Sequence, residues 1–237
     1  MKYEVRASKV ENGTGNVVGM ASIVIEDKFA VSNIRIIQKE EGALSVMYPA
    51  RKSNKTDSGY MNIVHPYTSE LSYSLKDAIL EAYVTGEHKV VETESVFKLE
   101  TKVNLFEKES LKAFCEVKFC DDNEFAIHDI TIRQGEGKDA FVAMPTYKKN
   151  DGSFGEICNP ITKEFREELC NSLLDNYEKA LNKENNKEKD VKQSEEKDAE
   201  NKSIDGNAAD VAEELSEGEK KTNERSVTYK NKGSKSR

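Results

Sequence analysis

The sequence predicts an α+β protein built from two tandem copies of one small module, each an antiparallel β-sheet followed by a C-terminal helix, with a disordered charged tail behind them. Three observations carry this. An internal repeat runs through residues 1–181, the hydrophobic period changes from two to about four within each copy, and large apolar residues become scarce after Leu181.

The repeat is legible residue by residue. Phe29 to Pro49 aligns without a gap on Phe125 to Pro145, placing Ile34 on Ile130, Ile36 on Ile132, Gln38 on Gln134 and Val46 on Val142 at a spacing of 96 residues. Past a loop two residues longer in the first copy, the spacing becomes 94 and pairs Ile63 with Ile157, Pro66 with Pro160, Thr68 with Thr162, Leu75 with Leu169, Leu80 with Leu174 and Tyr83 with Tyr177. These matches define a first module over 1–86, a linker or first strand of the second over 87–101, a second module over 102–181 and a tail over 182–237.

Each copy begins with strands. Apolar residues alternate in Ala21–Ile25, Ala30–Ile36 and Leu111–Phe119, the pattern of a half-buried strand. Asn12-Gly13 and Asp151-Gly152 are turn signals. Each copy then ends in a helix. Pro66 or Pro160 precedes Thr68 or Thr162 as N-cap, with Glu70 or Glu164 in the first turn, where the helix dipole favours an acid. Leu71, Leu75, Ile79 and Tyr83 in one copy, and Phe165, Leu169, Leu173, Tyr177 and Leu181 in the other, form one apolar stripe each. Phe29 and Phe125 read as core anchors, and the place of Tyr83 and Tyr177 on the stripe favours packing over base stacking.

The composition sets limits on the rest. Hydrophobic residues are 36% of the chain and charged residues 34%, so part of it lies outside any core. No apolar run reaches the roughly 18–20 residues a membrane span needs, and Met1-Lys2-Tyr3-Glu4-Val5 enters strand-like sequence directly. A soluble, cytoplasmic protein without a membrane partner is expected. The tail cannot bury enough apolar surface to offset the roughly 1–2 kcal/mol per residue of ordering its backbone; only Ala208 to Leu215 has helical character. Its charge is split: 182–219 holds 6 Lys against 13 Asp and Glu, while 220–237 holds 7 Lys and Arg against Glu224 alone. Such runs serve as solvated filler or as a basic tip held back by the acidic segment before it.

Catalytic and metal chemistry find little support. Cys115, Cys120, Cys158 and Cys170 contain no C-x-x-C pair and read as reduced, partly buried thiols; a metal site completed by His128 lacks the ligand spacing. His65, His88 and His128 are far apart in sequence, no Ser or Cys sits in a nucleophile elbow, and Gly135-Glu136-Gly137 lacks the following lysine of a phosphate loop. His65 stands where the other copy has Asn159, which fits a polar capping role before the helix. No enzyme, cofactor or metal is expected.

The order F-x-[VI]-x-x-I-x-I, a strand ending V-x-[MY]-P, a basic turn-rich loop, I-x-x-P and a terminal helix ending in Tyr resembles the septation protein SpoVG family. The second copy carries it in Phe125–Ile130, Phe141-Val142-Ala143-Met144-Pro145 and Asp151–Ile161; the first in Val5-Arg6, Ala21-Ser22-Ile23, Phe29–Ile37 and Ile63-Val64-His65-Pro66. The resemblance covers most of 1–181 and none of the tail. It implies a bacterial regulator of sporulation and septation that contacts DNA or RNA, and a module that pairs through its sheet. A duplicated chain would then form that pair within itself as a pseudo-dimer, because a linker of about 15 residues holds the modules near millimolar effective concentration.

The resemblance puts nucleic-acid contact on the basic loops after Pro49 and Pro145, through Arg51, Lys52, Lys55, Lys148 and Lys149, with Lys76, Lys163 and Arg166 on the helices extending the patch. Lysine and arginine neutralise phosphates and release counterions, although lysines also belong on any exposed turn. The charge balance opposes strong binding: module one carries 10 basic and 10 acidic residues, 102–181 carries 11 and 16, so the first copy is expected to do most of the binding. The rival expectation, from a different class, is a non-enzymatic adaptor that holds a protein partner through a sheet edge or the tail. Further pairing into homo-oligomers is compatible with either.

Overall fold

The computed structural model describes residues 1–201 apart from 12, 14, 55, 120–124 and 150, and over 187–201 it describes the helix backbone alone. The chain opens with three antiparallel strands, β1 (Lys2–Lys9), β2 (Val17–Ile25) and β3 (Phe29–Gln38). Period two sorts their side chains: Tyr3, Val5, Ile23, Ile25, Phe29 and Val31 are buried, while Arg6, Ser8 and Arg35 are exposed. β4 (Leu44–Met47) returns along the second half of β3. A short hairpin, β5 (Ala50–Lys52) and β6 (Tyr60–Asn62), leads to β7 (Val64–Pro66) and helix α1 (Ser69–Thr85).

Next comes β8 (Lys89–Glu92), an extra edge strand on β1 with no counterpart on β9 among the described residues. The grammar then repeats as β9 (Leu99–Lys108), β10 (Leu111–Phe119), β11 (Phe125–Arg133), β12 (Phe141–Ala143), the hairpin β13 (Thr146–Lys148) and β14 (Phe154–Glu156), β15 (Cys158–Pro160) and helix α2 (Lys163–Asn201). Within the stretch read from sequence as a linker or first strand, β8 belongs to the first sheet and β9 begins at Leu99.

The two sheets are completed by exchange. In the first, the order is β15-β3-β2-β1-β8 with β4 also on β3; in the second it is β12-β11-β10-β9 with β7 also on β11. Thus β7 of the first module pairs with β11 through Pro66–Phe125, His65–Ala126 and Val64–Ile127, and β15 of the second pairs with β3 through Pro160–Phe29, Asn159–Ala30 and Cys158–Val31. The registers are the same under the sequence repeat, so the modules form an intramolecular pseudo-dimer. Both sit within the compact unit Met1–Asp190.

Both helices start as expected. The Thr68 hydroxyl accepts from the Leu71 amide at 3.3 Å, and the Thr162 hydroxyl from the Phe165 amide at 3.2 Å. α1 stops at Gly86, whose left-handed backbone (φ 76°) lets its amide reach the Ala82 carbonyl at 2.9 Å. α2 continues past Leu181 to Asn201, beyond the boundary at which the sequence loses its large apolar residues. Lys, Glu and Gln are good helix formers, so the ladder propagates past the apolar stripe. Leu181 touches the core, whereas 182–186 are exposed. The expected tail from 202 onward, its short helix, Asn12 of the first turn and Cys120 lie outside the described residues.

The two modules share a single core rather than having one each. Phe29 of the first module meets Phe119 at 5.2 Å and Phe165 at 6.3 Å, and Tyr3 meets Phe125 at 6.2 Å between ring centroids. Each such ring is fully or nearly fully buried and contributes about 1.5–3 kcal/mol by leaving water. Tyr83 packs against this core and its hydroxyl donates to the Val18 carbonyl at 3.3 Å; Tyr177 is buried. Glycine at 19 is required by the same contact, since a Cβ there would stand 2.6 Å from the Tyr83 ring.

Candidate nucleic-acid interface

A bulge in each central strand prepares the site. Between the halves of β3 and β11 one extra residue is inserted, and Asn33 and Asp129, equivalent in the repeat, take left-handed backbone with φ of 60° and 61°. Asn and Asp tolerate this conformation better than most side chains. The residue before each bulge donates across the module boundary: Ser32 N–H to the Ile157 carbonyl and His128 N–H to the Ile63 carbonyl, both at 2.7 Å. The bulges therefore dock the modules and re-aim the strand ends.

The basic loops of the sequence are β-hairpins. β5–β6 of the first module leans over the outer face of the second sheet, where it walls a groove of about 730 Å³ with Phe114, Glu116 and His128 on the floor. Arg51 is taken up there. Its Nε donates to the Asp129 carboxylate, which is mostly buried, and its Nη2 lies 3.6 Å from the Met61 sulfur. Lys52 is exposed beside it. In the second hairpin Lys148, the repeat equivalent of Lys52, and Lys149 are exposed, while Tyr147 crosses to Gly155, where a Cβ would stand 2.7 Å from its ring. The Asp151 turn is closed locally: its carboxylate accepts from the Ser153 amide at 2.9 Å and hydroxyl at 2.7 Å, and these bonds hold its pKa below the usual range.

The helix residues stand differently. Lys163 is exposed and ion-paired with Glu167 at 3.7 Å, and Arg166 donates to the Pro160 carbonyl at 3.1 Å, so both serve the start of α2. Lys76 is exposed on α1. Lys55 lies outside the described residues. Sequence had assigned each loop to its own module; the groove shows Arg51 and Lys52 set against acidic residues of the other one.

Two features were not foreseen. His65 lies in β7 rather than at a helix cap, and its ring stacks on His128 at 5.4 Å and on Tyr67 at 5.2 Å. Its Nδ1 is buried without a partner, and its pKa is lowered by burial first and by His128 second, against a raising effect from Glu116. The equivalent positions at the other junction are Asn159 and Ser32, so one junction alone has the pair. The second feature is an aromatic pair on the outer face of the second sheet, Phe106 and Phe114, at 5.2 Å. Phe114 occupies an outward position of β10 while Ala113, Cys115 and Val117 point inward, a departure from polar parity that the sequence does display. Of the thiols, Cys115 and Cys158 are buried and Cys170 half-buried; burial pushes the Cys115 pKa up to about 12, far from a reactive thiolate.

The SpoVG family model matches this chain twice, over residues 1–85 and 97–179. The chain belongs to the SpoVG family. It carries two tandem SpoVG modules, and the two matched segments are the halves that exchange β7 and β15. Among curated relatives, the "Putative septation protein SpoVG" of Clostridium perfringens is 42% identical over 72 residues, 30% of this chain and 77% of the relative. That of Caldanaerobacter subterraneus is 41% identical over 78 residues, 33% and 82%, and that of Clostridium kluyveri 40% identical over 83 residues, 35% and 83%. Relatives so nearly covered by one segment have room for a single SpoVG module. No helix among the described residues is long and apolar enough to cross a membrane.

Proposed function

We propose that this SpoVG-family protein is a non-enzymatic, cytoplasmic regulator in septation and sporulation that contacts DNA or RNA through its two hairpins. The observation that carries the reading is the exposure of Lys52 and Lys148 at equivalent positions of hairpins related by the internal repeat, with Lys149 beside the second. Two cations so related suit a polyanion, whose phosphates recur along its length. Arg51 positions the first hairpin through Asp129, and Lys163 and Arg166 support α2 rather than the ligand. The acidic balance of the second module keeps affinity modest.

The test is a fluorescence-anisotropy titration of the full chain with mixed-sequence DNA and RNA at about 50 and about 200 mM salt. Affinity is expected to fall steeply with salt, and the triple variant K52A/K148A/K149A to weaken binding and lower the salt slope by about three, one per phosphate contact. Absence of salt-sensitive binding at the lower salt would overturn the reading and leave the protein-adaptor role, for which the outer edge of β9, without a strand partner among the described residues, would be the place to look.

A further inference from the structure

We propose that the outer face of the second sheet is a stacking platform for single-stranded nucleic acid, with bases on Phe106 and Phe114 and phosphates on Lys52, Lys102 and Arg133. The inference rests on the nucleic-acid reading above and adds the strand state of the ligand and a base-binding surface on the sheet beside the first hairpin. Phe106 is 45% and Phe114 38% exposed, and their rings are tilted 55° to one another. Two neighbouring phenyl rings left in water, with exposed Phe141 of β12 across from Arg133 on the same face, are unfavourable for the free protein. The inward positions of the same strands already supply the core, so folding does not need these rings.

The surroundings fit a polyanion with exposed bases. The carboxylates of the face are engaged: Asp129 with Arg51, Glu116 with Lys118 at 3.4 Å, and Glu107 with Lys112 at 2.5 Å. Among the described residues Lys52, Lys102 and Arg133 have no ion pair, and all three are exposed. Asn104, directly across from Phe114 on β9, offers an amide to a base edge. The groove between this face and the β5–β6 hairpin gives the strand a wall on one side. A duplex hides its base faces, whereas a single strand presents them to any aromatic platform. On the first sheet the position of Phe114 is held by Met20, so the platform belongs to the second module alone.

The experiment compares a labelled single-stranded DNA of about 20 nucleotides, long enough for one such site, with its duplex on the full chain. Wild type is expected to favour the single strand. The double variant F106L/F114L, apolar but without a stacking face, is expected to lose about tenfold or more on the single strand, to keep its duplex affinity, and to melt like wild type; F106Y/F114Y should keep both. Equal single-strand affinity of wild type and F106L/F114L, or no preference for single strand over duplex, would overturn the platform while leaving the hairpin reading intact. Failure of wild type to bind either form would overturn both and point to a protein partner for the rings.

Discussion

At the scale of single residues, the pseudo-dimer departs from symmetry at the stacked His65–His128 pair. Burial and the neighbouring imidazole hold the His65 pKa below its ordinary 6.5. Above that value both folded and unfolded chains carry a neutral ring. As pH falls through it, the unfolded chain takes up the proton first, so stability declines toward the native pKa. Glu116 on β10 opposes the shift, while Lys118 sits over the Tyr67 ring at 5.1 Å and adds no compensating acid. The urea midpoint of wild type is therefore expected to drop between about pH 7.5 and about pH 5.5 by more than that of H65N, which places the repeat's own asparagine at the junction. Equal drops would show that His65 does not titrate on unfolding. Nothing in the sequence paired these histidines, because the residues stand far apart in the chain and meet only through β7 on β11.

At the scale of elements, local rules were readable. Thr68 and Thr162 cap their helices, and the four-residue stripes are the buried faces. The hairpins after Pro49 and Pro145 were read only as turn-rich loops, since strands of three residues leave too short an alternation to recognise. α2 shows the opposite failure. Its apolar stripe ends at Leu181 but its backbone runs on to Asn201, because Lys, Glu and Gln keep helix propensity high past the last apolar position. Removing 182–237 is accordingly expected to leave the thermal midpoint within about 2 °C, an effect of at most about 1 kcal/mol for a domain of this size. A larger fall on calorimetry would mean that the tail packs on the modules.

At the scale of the whole molecule, the exchange of β7 and β15 makes each module incomplete by itself. If the second module is removed, the first half of β3 keeps β2 but loses its other partner strand, β15, and Phe29 loses Phe119 and Phe165. A fragment of residues 1–96 is therefore expected to elute as a dimer on light scattering, with Val64–Pro66 of each copy taking the place of Cys158–Pro160 on the other, while the full chain needs no second copy to fill that edge. A folded monomeric fragment would show that the exchange is dispensable. The same architecture redistributes charge: Lys52, from the module with equal numbers of acidic and basic residues, lines a groove floored by the sheet of the acidic one.

Sequence alone determined the duplication, the α+β class, the helix caps, the buried stripes and the family, because these follow from the order of residues and from periods that neighbouring positions set. Tertiary structure decided which strand completes which sheet, that Arg51 is held by Asp129, that His65 stacks on His128, and that Phe106 and Phe114 share an open face. Each of these depends on residues brought together across the module boundary, and no local period encodes a contact between positions that meet only when two copies exchange strands.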